Sequence, residues 1–201
     1  MIIRTLLKHG TPVLRVAMLL LITSFMLSGC LGGCYQPPPV KINVTLLNNA
    51  TIPGLPLGEL FEEDHIFDLP RICNLPSLSA VENFIRAALG NTIADRVNIE
   101  KVEVGRVTFT AKSGSFSTLR SFSMAFVANG NTYVLGQATN ADGLGAGFDL
   151  IPEQPVDLLN IFFVEGSDGC INAQVGLIGG VPTETLVFDV TAELIVTVRI
   201  R

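Results

Sequence analysis

Tryptophan is absent from the 201-residue chain, lysine occurs four times and histidine twice, and charged side chains make up 15% of the whole. With so few cations and no Lys/Arg cluster, the chain has no electrostatic footprint for nucleic acid and no basic patch for an anionic lipid surface. There is no Gly-x-Ser-x-Gly elbow, and His65 is the one histidine outside the N-terminal segment, so a serine nucleophile has no obvious base. Gly143 to Gly147 is glycine-rich, but no strand–helix–strand context surrounds it, which excludes a dinucleotide fingerprint. It occurs once, whereas glycine-rich calcium repeats act by stacking, so it reads as a strand connection. No repeat of solenoid period is visible.

What the sequence does have is apolar: 48% hydrophobic residues and a mean hydropathy of +0.49, too high for an ordinary soluble domain. The excess lies at the N-terminus. Arg4, Lys8 and Arg15 precede the run Val16 to Leu27, about a dozen residues long and too short to span a bilayer, which needs roughly 20. This is the n-region and h-region pattern of a secretory signal over residues 1–29. Those 29 residues contain three of the 13 basic side chains and none of the 18 acids, so the remainder carries a net charge of −8.

Leu27-Ser28-Gly29-Cys30 follows directly and resembles the lipobox of bacterial lipoproteins, in which small residues before a cysteine permit cleavage and leave that cysteine as the acylated N-terminus. The resemblance implies a diacylglycerol on the Cys30 thiol and a further acyl chain such as palmitate on its amine, enough buried chains for stable anchoring. Leu31-Gly32-Gly33-Cys34 is a second, poorer lipobox. The position of the h-region favours Cys30; cysteine parity favours Cys34. Leu31, rather than Asp, after Cys30 resembles the outer-membrane pattern of two-membrane hosts. The expected location is therefore the bacterial cell envelope, lipid-anchored at the outer membrane.

Residues 30–39 form a lipidated tether ending in Pro37-Pro38-Pro39, and residues 40–201 one domain. Alternation in Lys41 to Leu46 predicts a first strand, Asn48 to Gly58 a loop, and Glu59 to Pro70 an irregular acidic segment. Ser79 with Glu82 fits a capping box, Val81, Phe84, Ile85 and Ala88 recur at helical spacing, and Gly90 is placed to end the helix. From Val97 the period becomes two. Val97 to Val104 and Val107 to Ala111 alternate in different registers, which predicts a bulge or kink near Gly105. Ser121 to Ala128, Asn129-Gly130 and Thr132 to Ala138 read as a hairpin. Val156 to Val164 fits strand or helix, Ile171 to Leu177 alternates, Gly176 to Pro182 reads as a turn, and Leu186 to Ile200 is one long half-buried strand.

The expected fold is mainly β: an antiparallel, immunoglobulin-like β-sandwich of about seven or eight strands with one short α-helix. Val102 to Val127 resembles a group of uncharacterised bacterial envelope proteins with small β-sandwich domains, and the strand pattern is similar to water-stress and late-embryogenesis type 2 domains. Neither supplies functional residues. An exported domain with Cys73 and Cys170 in its folded part predicts a disulfide between them. Phe61 to Asp68 is the one dense carboxylate group with a histidine, and Glu62, Glu63 and His65 are its weak metal-ligand candidates; in a loop such a run is ordinarily solvated surface. Asp142, Asp149 and Asp168 are acids elsewhere in the chain that could converge on it. No catalytic residue and no cofactor are expected. The reading is a non-catalytic lipoprotein with a structural or protein-binding role and an envelope protein as partner. The alternative is a carrier of an apolar ligand such as a lipid, its twelve phenylalanines lining a cavity; a metal-dependent hydrolase is third.

Overall fold

The computed structural model describes residues 36–54, 60–91, 95–139, 144–163, 169–180 and 184–200, with side chains of the second strand from His65 onward. Residues 1–29, which read as a signal, together with Cys30, Cys34, Asp142 and Asp168, lie outside the described residues, as do the side chains of Glu62 and Glu63.

Among the described residues eight strands and one α-helix follow in chain order: β1 Val40–Ile52, β2 Leu60–Asp68, α1 Leu78–Leu89, β3 Val97–Ser113, β4 Leu119–Ala128, β5 Asn131–Thr139, β6 Gly147–Leu150, β7 Asn172–Gly180 and β8 Leu186–Ile200. They form two four-stranded sheets, β1-β8-β3-β6 and β2-β7-β4-β5. The antiparallel sandwich of eight strands with one helix is the architecture the alternation implies. Its connectivity differs from the immunoglobulin order, in which strands A, B, E and D share a sheet. Here β1 neighbours β8, β2 neighbours β7, β3 neighbours β6 and β4 neighbours β5. That nesting is a long hairpin rolled up on itself, the jelly-roll arrangement.

Bulges reshape the strands. Leu46 and Leu47 are both buried, which a regular strand forbids, and β1 slips register against β8 between Thr45 and Leu47 and again before Ala50. The strand thereby continues to Ile52 through residues that read as loop. Asn49 sits at φ 52, a left-handed conformation that Asn tolerates. The side chains around it hold it there: Asn49 N–H donates to Asp189 Oδ1 at 2.9 Å, and Lys112 Nζ reaches Asn49 Oδ1 at 2.9 Å and Asp189 Oδ1 at 2.8 Å. In β3, Val102 and Val104 face inward and so do Val107 and Phe109, a phase slip at Gly105 as the sequence implies.

The acidic segment is β2, an ordered edge strand paired only with β7, rather than irregular chain. One free edge lets such a strand carry charges that a central strand could not, and acids there also discourage edge-to-edge aggregation. The Gly176 to Pro182 stretch is strand as far as Gly180 rather than turn. Gly179 is required: at φ 121 a Cβ would lie 2.4 Å from the Arg120 nitrogen. The glycine-rich connection contributes β6, a four-residue edge strand on β3. Asn129 and Gly130, at φ 53 and 75, form the tight β4–β5 turn. Val156 to Val164 is neither strand nor α-helix where described; it holds a 3-10 turn over Leu158–Asn160, capped by Asp157.

Helix α1 is capped by Ser77 rather than Ser79: Ser77 Oγ accepts from Ala80 N–H at 3.3 Å, and Ser79 Oγ bonds Ser77 Oγ at 2.9 Å. Gly90, at φ 83, ends the helix with its N–H on the Arg86 carbonyl. Val81 and Ile85 are its buried side chains. Between the sheets, Phe109 sits at the centre of an aromatic cluster, stacked on Phe148 with centroids 5.0 Å apart and edge-on to Phe122 at 4.7 Å. Phe116 and Phe188 complete it at 6.5 and 6.0 Å from Phe109.

Candidate functional site

Cys73 and Cys170 are joined, with Cα atoms 4.2 Å apart and a sequence separation of 97. The preceding and following residues are paired as well: Ile72 N–H donates to the Ile171 carbonyl at 2.8 Å and Ile171 N–H returns the bond at 2.9 Å. Both isoleucines are buried. The bridge therefore welds the connection between β2 and α1 to the start of β7.

The acidic candidates do not assemble a metal centre where they can be followed. His65 is exposed on edge strand β2, its ring 4.6 Å from Phe67. Asp149, on β6, is engaged by Thr108 Oγ1 at 2.6 Å and Arg106 at 3.3 Å, on the sheet that does not contain His65. Among the described residues no group of three or more His, Cys, Asp or Glu side chains is placed to hold a metal ion.

The chemistry that distinguishes regions of this molecule is on its two outer faces. Outward positions of β1-β8-β3-β6 carry paired charges: Lys41 with Glu193 at 3.0 Å, Lys112 with Asp189 at 2.8 Å, and Arg106 with Asp149 at 3.3 Å. Such exposed pairs add little stability individually but keep the face hydrated. Among the described residues Asp189 is the acid clearly perturbed, its carboxyl held below the ordinary 3.8 by the Lys112 side chain and the Asn49 N–H. A depressed folded pKa gives stability that is complete above the ordinary value and lost as pH falls through the lowered one. Asp189→Asn is therefore expected to lower the unfolding midpoint at neutral pH and to make its fall on acidification shallower than in the unsubstituted protein. Parallel acid titrations of the two melting curves would reveal a superimposable slope if the pairing contributes nothing.

On the other sheet the outward residues with described side chains include three cross-strand rows. One is Ile66, Gly176, Ser123 and Gln137; the next is Asp68, Gln174, Ala125 and Val134; the third holds Asn172, Val127 and Thr132. Across these rows only Asp68 is charged, and Gln174 Nε2 donates to it at 2.9 Å. Gln137 Nε2 likewise reaches Ser121 Oγ at 2.6 Å. Ile66 and Val134, 63% and 59% exposed, stand on the two edge strands of this sheet. A groove of about 510 Å³ lies between α1 and β3, with Ile85, Val97 and Ile99 along it and the Arg86–Asp95 pair, 2.6 Å, at its rim. Alternation in the β4–β5 hairpin makes its outward residues legible in the sequence, but nothing local places β2 and β7 beside them.

No protein-family model matches the chain, and no curated protein is similar to it in sequence.

Proposed function

We propose that the protein is a lipid-anchored, non-catalytic component of the bacterial envelope whose sandwich presents a protein-contact surface close to the membrane. The observation that carries this reading is Leu27-Ser28-Gly29-Cys30 immediately behind a signal-type apolar run. The first strand begins at Val40, ten residues beyond Cys30. An extended tether of that length reaches about 31 Å, which keeps the domain beside its lipid. An oxidising compartment suits the Cys73–Cys170 bridge. Packing of Phe109, Phe116, Phe122, Phe148 and Phe188 against one another supports a solid interior over the ligand cavity a lipid carrier would need.

Cys30→Ser is expected to abolish incorporation of a labelled fatty acid and to move the protein from the membrane to the soluble fraction. Cys34→Ser should leave both unchanged. The opposite pattern would transfer the anchor to Cys34, and retention of label in the double variant would remove the lipoprotein reading.

A further inference from the structure

We infer that helix α1 rests on the bilayer surface through its flank of Ala80, Phe84, Ala87 and Ala88, so that the domain is held at the membrane by this contact as well as by its lipid. The inference rests on the lipid-anchor reading and deepens it.

The helix carries more apolar surface than its packing uses. Val81 and Ile85 form its buried stripe. At about 3.6 residues per turn, one flank of that stripe holds Ser79, Glu82, Asn83 and Arg86, and the other holds Ala80, Phe84, Ala87 and Ala88. The first flank is that of an ordinary surface helix, and its Arg86 reaches Asp95 at 2.6 Å. The second offers no charge and no hydrogen-bonding side chain, yet Phe84 is 48% exposed and Ala87 and Ala88 are exposed beside it. Removing that flank from water is favourable.

Position selects the occupant. Val40 pairs with Val196, and Arg199 Nε lies 2.6 Å from Glu100 Oε1, so the start of β1, the end of β8 and the start of β3 share one end of their sheet. Helix α1 is at that end too, because it shares a groove with Val97 and Ile99 of β3 and also packs on β1. The chain enters β1 from Cys30 through a tether that reaches about 31 Å. The 12 residues of α1 span about 18 Å, so the whole helix can lie in the bilayer plane without straining the tether. A surface held within such reach acts at an effective concentration on the order of millimolar, at which a weak apolar contact suffices. A diffusing partner has no such advantage.

Charge agrees. From Leu78 to Ile99, Glu82 and Asp95 are balanced by Arg86 and Arg96, whereas the chain beyond residue 29 sets 10 basic against 18 acidic side chains. The helix and the turn after it are therefore a neutral segment on an acidic domain, the part that a headgroup layer does not repel. Without a basic patch the contact is apolar, with the Phe84 ring entering the boundary between headgroups and acyl chains.

The test uses the full lipidated chain in vesicles of phosphatidylethanolamine and phosphatidylglycerol. Because the sequence has no tryptophan, Phe84→Trp supplies a single reporter. Its emission is expected to shift to the blue, to be quenched by brominated acyl chains and to be shielded from iodide. Ser113→Trp, exposed at the far end of β3, should show the reverse. Adding Ala87→Glu to Phe84→Trp should cut the lipid quenching at least about threefold, since a carboxylate resists leaving water. Ala88→Trp gives the same readout should Phe84→Trp fail to fold. Emission open to iodide, a blue shift without lipid quenching, which would mean that protein covers the flank, or equal quenching of Ser113→Trp would each overturn the inference. Fatty-acid label at Cys30 with an unquenched reporter would defeat this inference alone. Lipid quenching with no label at Cys30 or Cys34 would defeat the anchor alone, and loss of both would defeat both.

Discussion

Replacing both members of the Cys73–Cys170 bridge by serine is expected to lower the stability of the folded domain by about 4 to 5 kcal/mol, among the largest effects available to a change outside the aromatic core. The bond closes a loop with a sequence separation of 97, and constraining so long a loop removes much of the unfolded chain's freedom. The folded side of the balance changes less. Ile72 and Ile171 keep their reciprocal backbone hydrogen bonds next to the bridge, so the sandwich should still form when the cystine is gone. Cys73 is exposed, which makes the same comparison possible with a reductant on the unsubstituted protein. Denaturant unfolding of oxidised protein, reduced protein and the double serine variant should place the last two together and well below the first. A loss under about 1 kcal/mol would mean that the reduced, unfolded chain stays compact around this region or that the bridge strains the fold.

Phe109→Ala is expected to cost about 3 to 5 kcal/mol, comparable to losing the bridge but through the folded state. Phe109 is fully buried and touches four other rings, from β6, β4, β8 and the turn before β4, so truncation opens a void between both sheets at once. Phe109→Leu should cost distinctly less, because most of the volume is retained. Phe122→Ala combined with Phe109→Ala should fall short of the sum, since the two rings share one contact at 4.7 Å and the second truncation enlarges an existing hole. Chemical denaturation of Phe109→Ala, Phe109→Leu, Phe122→Ala and the double variant measures this directly, and a cost near zero for Phe109→Ala would point to an interior with space to spare.

The alternation of Leu186 to Ile200 is legible because every second residue faces a dry interior, and the structure keeps that strand from end to end. The Asn129-Gly130 hairpin is legible because the turn's positive φ angles are a local demand that few residues satisfy. Ser77 escapes a capping-box reading because Ser79 with Glu82 offers the same local chemistry two residues later, and only the path of the chain from Leu75 decides between them. The Glu59 to Pro70 segment escapes as well. An edge strand needs only one partner and one buried margin, so its apolar period is diluted by acids, and β7 supplies the pairing from more than a hundred residues away.

By itself the amino-acid sequence determined the β class, the position of helix α1, the slip at Gly105 and the cystine pair, all of which follow from local periodicity, turn chemistry or the count of available thiols. The nested strand order, and with it the gathering of paired charges on the outer face of β1-β8-β3-β6, was decided only by the tertiary structure. Alternation states that a residue points outward without stating which sheet it leaves, and the partners β2 with β7 and β1 with β8 are chosen by which long-range pairing closes the phenylalanine-filled interior.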